Sequence, residues 1–181
     1  MSEETNSEIN KNSISKESEK ANNPDWVKPD FDKEASEIKR ILEDFLNQEP
    51  SEENVGKIID ILKETPSTQL NYETWSMVEN TDSFKNIGPG DIEKAREKCE
   101  GYNKELPPDK KRDFEDILSG FTEGKEMQMP VIIKSKNGLL HLLSGNTRLM
   151  ISRALNIQPQ VIIGEVEWEG QSKKEEQEEE K

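Results

Sequence analysis

Pro130–Val166, PVIIKSKNGLLHLLSGNTRLMISRALNIQPQVIIGEV, holds most of the dense apolar sequence of this 181-residue chain. Two short runs, Pro130–Lys136 and Leu139–Ser144, flank Asn137-Gly138, the dipeptide most favoured in two-residue hairpin turns. A two-residue turn sets Lys136 opposite Leu139 and Lys134 opposite His141. Alternation then predicts a core face of Val131, Ile133, Leu140 and Leu142, with Ile132, Lys134, His141 and Leu143 on the other. Thr147–Leu155 reads as a helix that Asn156 can stop in the left-handed conformation. Gln160–Val166 reads as a third strand, and its unbroken Val161-Ile162-Ile163 predicts a central, buried place.

Upstream, apolar residues recur at helical spacing. Ala35, Ile38, Ile41, Leu42, Phe45 and Leu46 predict a helix over Phe31–Gln48, stopped by Pro50. Ser51 suits an N-cap for Glu52–Glu64, whose stripe is Val55, Ile58, Ile59 and Leu62. The two form a helical hairpin, which can pack on the following domain or offer its stripe to a partner. Thr68–Glu73 is a candidate strand, followed by a helical turn holding Trp75. Asp91 opens a helix that Gly101 should end. Pro107-Pro108-Asp109 opens another, with Phe114, Ile117, Leu118 and Phe121 inward and Gly120 and Gly124 at its exit. The expected class is α+β: a small mixed sheet with surrounding helices, an N-terminal helical hairpin and disordered acidic tails. The expected divisions are a tail at 1–30, the helical arm at 31–65, the domain at 66–166 and a second tail at 167–181.

Charge supports those divisions. Residues 1–30 carry seven acids against four bases, and residues 165–181 carry eight against three. That leaves 24 acids and 18 bases between them, so most of the net charge of −14 belongs to the ends. Such polar ends cannot offset the entropy of ordering. A chain this acidic is not expected to bind a nucleic-acid backbone directly. No apolar run reaches the length of a membrane span and no secretory leader is visible, so a cytoplasmic protein is expected. The single Cys99 and single His141 cannot build a His/Cys zinc site or a thiol–imidazole centre with its orienting groups. Cys99 is expected as a buried small residue. His141 reads as a half-exposed strand residue.

Ser144-Gly145-Asn146-Thr147-Arg148 is the one constellation with ligand chemistry. It joins a strand to a helix, so N–H groups at the helix start carry partial positive charge outward. Gly145 permits close approach, Asn146 or Thr147 can cap, and Arg148 offers a planar fork for phosphate or carboxylate. Ser152 lies one turn beyond Arg148, and Lys134 on the hairpin is a further candidate helper. Gly145-Asn146 can equally be only a tight turn, with Arg148 paired to an acid.

The order of Pro-Val-Ile-Ile strand, hairpin, Leu-Leu-Ser-Gly strand end, Asn-Thr-Arg helix start, Ala-Leu-Asn-Ile and Pro-Gln-Val-Ile strand resembles the ParB/sulfiredoxin superfamily. The resemblance covers Arg112–Val166, extends loosely back to Thr68, and is of the kind seen in stand-alone ParB-like proteins of phages and mobile elements. It implies a nucleotide such as CTP or ATP, with or without a divalent cation, held by its phosphates at Gly145, Asn146, Thr147 and Arg148. Sulfiredoxins carry their catalytic cysteine where this chain has Asn146, so that activity is not expected. Many relatives place a His or Arg where this chain has Thr147, which weakens the case for phosphoryl transfer. Only fifteen residues follow Val166, so the DNA-binding and dimerisation regions of partition proteins are not expected. No catalytic residue is assigned. The alternative is a non-catalytic adaptor that recruits a protein through the helical arm and tails.

Overall fold

The hairpin of the quoted stretch lies inside a five-stranded mixed sheet. The computed structural model describes residues 23–46 and 49–168. The tail expectations for 1–22 and 169–181, and the helix end at 47–48, lie outside the described residues. The described elements are mixed α+β, with six α-helices and two sheets. They fall into two compact units: a sheet unit (27–81, 128–145 and 159–168) and a helical unit (23–26, 82–127 and 146–158).

In the sheet unit, strands β2 (Ser67–Gln69), β3 (Val78–Glu79), β5 (Val131–Lys134), β6 (Leu140–Ser144) and β7 (Gln160–Glu165) lie in the order β2-β7-β5-β6-β3. β5 runs parallel to β7 and antiparallel to β6. β7 is interior as expected, with Val161 and Ile162 fully buried. The hairpin register differs from the two-residue reading by one residue. Lys134 opposes Leu140 and Ile133 opposes His141. The connection is a three-residue loop, Lys136–Gly138. The Ser135 amide donates to the Leu139 carbonyl, the Leu139 amide donates to Ser135 Oγ, and Gly138 takes φ +85°. Glycine there supplies the left-handed residue that such a loop needs. The faces therefore regroup, with Ile133 beside His141 and Ile132 beside Leu142. Ile132 and Ile133 are both fully buried, so hydrophobicity could not choose between the registers.

Helix α1 (Ala35–Leu46) packs on β6, and α2 (Glu52–Glu64) packs on β7. Residues 31–65 thus belong to the same unit as the sheet rather than forming an arm outside it. Phe45 lies 4.7 Å from the His141 ring, which is 4% exposed and so buried, not half-exposed as expected. Ser51 caps α2 by accepting from the Asn54 amide. The β2 strand is shorter than Thr68–Glu73 because Asn71 turns the chain into α3 (Tyr72–Ser76), accepting from the Thr74 amide at 2.8 Å. Asn80 replaces the next strand residue of β3. Its amide donates to the Leu142 carbonyl and accepts from the Leu142 N–H.

In the helical unit, α4 (Ile92–Glu105) runs through Gly101. It stops at Leu106, which takes the extended conformation that a following proline favours. Pro107-Pro108 yields a single 3-10 turn, Pro108–Lys110, and α5 begins only at Phe114 under an Asp113 cap. Asn103 explains the delay, since its side chain holds both the N–H and the C=O of Arg112 at 2.8 Å. That clamp uses backbone groups a helix would need. α5 ends at Glu123 on left-handed Gly124. Helix α6 (Asn146–Ala154) ends on left-handed Asn156, φ +58°, as expected. The unit's core joins Ile92, Ala95, Cys99, Phe121, Met150 and Ile151. The two-stranded sheet pairs β1 (Asp25–Val27) with β4 (Glu126–Gln128), and Trp26 packs edge-on to Phe121 at 5.8 Å.

Candidate functional site

Gly145 ends the sheet unit and leads directly into α6. Its φ is +99°, and an added Cβ would stand 2.8 Å from the Pro130 Cα. Both facts demand glycine here, whether or not a ligand approaches. The α6 start then follows from sequence. A glycine before the helix has no side chain to accept from its first N–H groups. The first turn also carries no acid and includes Arg148, the reverse of the usual charge preference at a helix start.

A residue distant in sequence meets that turn. Arg112 Nη1 donates to Thr147 Oγ1 at 3.3 Å, and its guanidinium lies 5.4 Å above the Tyr102 ring. Among the described residues these are its side-chain partners, and no carboxylate is one of them. A cation beside the positive end of a helix dipole is repelled by it. An anion placed there would relieve both. Thr147 itself is 3% exposed and touches the Cys99 Sγ at 4.0 Å. Burial pushes the Cys99 thiol up from its ordinary pKa, so it stays a neutral packing group, as expected.

Tyr102 links this turn to a second polar group. Its hydroxyl hydrogen-bonds the Asn146 side chain and donates to Asp82. Burial, and then the Asp82 carboxylate, push the phenol up to about 12. Burial also works against a charged Asp82, but hydrogen bonds from Tyr102 and Lys98 outweigh it and hold that carboxyl below its ordinary range. Lys98 Nζ stands 3.2 Å from Asp82, and Asn86 donates to the same carboxylate.

The residues singled out in the sequence fare differently. Asn146, Thr147 and Arg148 share the first turn of α6, with Arg148 half-buried. Ser152 is fully buried in the same helix, and its Oγ has no partner among the described residues. Ser144 is half-buried at the end of β6, where it lines a small hollow with Phe31, Ile38 and Leu143. Lys134 lies at the other end of the hairpin and pairs with Glu165 at 2.9 Å. Sequence reasoning missed Arg112 and Tyr102. No spacing rule links residues 35 or more positions from Thr147 to a helix start, and Lys110-Lys111-Arg112 reads as an ordinary solvated run. Among the described residues no group of three or more His, Cys, Asp or Glu is placed to hold a metal ion.

Comparison with protein-family models, with curated proteins and with solved structures gives no match to this chain.

Proposed function

We propose that this protein binds a phosphate-bearing small molecule, a nucleotide such as CTP or ATP, at the start of α6, on a core of the ParB/sulfiredoxin-like kind. The observation that carries the reading is Arg112. It is a half-buried guanidinium without a carboxylate partner among the described residues, held against the first turn of a helix that already carries Arg148. Guanidinium forks and helix-start N–H groups both favour phosphate oxygens. The order of strand, hairpin, strand, Gly145–Arg148, helix and parallel strand supports the fold kinship. The adaptor reading has less support from the helical hairpin, because the stripes of α1 and α2 are spent on β6 and β7.

Titration calorimetry of the full chain with CTP, ATP, ADP and inorganic pyrophosphate, with and without magnesium, tests the proposal. Binding that is lost in Arg112→Gln and Arg148→Ala supports it. Absence of binding by all four ligands overturns it.

A further inference from the structure

Asp82 belongs to no motif, yet the fold sets it against the candidate site. The Tyr102 hydroxyl donates to the Asp82 carboxylate and also bonds the Asn146 side chain, so Asp82 stands one phenol oxygen from the first residue of α6. The carboxylate is fixed there. Lys98 and Asn86 hold it, and its side chain is 25% exposed. The segment that carries it is pinned along α6 as well. Arg153 lies 4.5 Å above the Phe84 ring, and the Gly90 amide donates to the Ala154 carbonyl at 2.7 Å. A negative charge is thereby anchored beside the same helix start that Arg112 and Arg148 make positive.

We infer that Asp82 is the protein's own counter-anion for this site, and that it limits how tightly an incoming phosphate is held. The inference rests on the anion-binding reading above. A second anion at the α6 start would share its positive field with the Asp82 carboxylate and be repelled by it, and a rigid carboxylate cannot swing clear. Asp82 therefore acts as a selectivity element. It weakens binding of any anion, and it weakens the most highly charged phosphates most. Asn at this position keeps the hydrogen bond from Tyr102 and removes the charge, so the geometry of Asn146 survives the change.

The test is calorimetric titration of the full-length protein, in low salt, with inorganic pyrophosphate and separately with inorganic phosphate. Proteins compared are the wild type, Asp82→Asn, Asp82→Ser and Asp82→Glu. The inference expects Asp82→Asn to bind pyrophosphate about tenfold tighter than wild type, with a smaller gain for phosphate and no gain in Asp82→Glu. Asp82→Ser supplies the neutral variant if Asp82→Asn does not fold. Wild-type binding that neutral variants leave unchanged or weaken overturns the role of Asp82 and leaves the site standing. A gain in Asp82→Glu equal to that in Asp82→Asn also overturns it, since loosening of the segment would then be the cause. No binding by the wild type or any variant overturns the anion site itself.

Discussion

Arg112 and Thr147, 35 residues apart, are joined by one hydrogen bond from Nη1 to Oγ1 at 3.3 Å. A single long bond and a cation–π contact are worth about 1 kcal/mol each at most, and repulsion from the α6 dipole offsets part of that. Arg112→Ala should therefore change the unfolding free energy by less than about 1 kcal/mol. Urea denaturation checks this. A loss above about 2 kcal/mol would mean that Arg112 is there to hold the fold.

Gly145 and Gly138 both have positive φ, at +99° and +85°, but only Gly145 is crowded. An alanine at 138 meets no atom within 4 Å, whereas at 145 its Cβ meets backbone of Pro130 at 2.8 Å. Gly138→Ala should cost about 1 kcal/mol and Gly145→Ala about 2–3 kcal/mol. Equal costs in chemical denaturation would contradict the close approach of Pro130.

Phe45 is 1% exposed and covers His141 on the face that Ile133 shares. Phe45→Ala should destabilise by about 3–5 kcal/mol. The His141 ring resonances should shift with it. A loss under about 1 kcal/mol would show that α1 is not held to the sheet by this contact.

Tyr102 and Asp82 give opposite pH signatures. The Tyr102 phenol is raised to about 12 in the folded state, against about 10 unfolded. Its contribution to stability is complete below about pH 10 and is lost as pH rises toward 12. Asp82 is lowered, so its contribution holds above the unfolded value of about 3.9 and is lost as pH falls through the folded one. In a near-UV phenolate titration, one of the chain's two tyrosines should ionise near pH 12, and Tyr102→Phe should abolish that step. Two phenols that both titrate near their ordinary value would contradict the burial of Tyr102.

Periodicity made α1, α2 and α5 legible, and the unbroken Val161-Ile162-Ile163 correctly put β7 inside the sheet. Where side chains replace backbone partners, the sequence was silent. Asn103 bonding the backbone of Arg112, Asn80 bonding the edge of β6, and Ser135 tightening the hairpin loop each moved a boundary or a register. The same limit hid half of the candidate site. Asn146-Thr147-Arg148 could be read from the glycine before it, while Arg112, Tyr102 and Asp82 converge through folding across as many as 65 residues.

Titration of the intact protein with ATP and with pyrophosphate, beside Arg112→Gln, bears most directly on the anion site at the start of α6. Saturable binding by the wild type, weakened at least tenfold by Arg112→Gln while unfolding stability stays within about 1 kcal/mol, is the expected result. Binding that Arg112→Gln leaves untouched, or no binding of either ligand by the wild type, would contradict it.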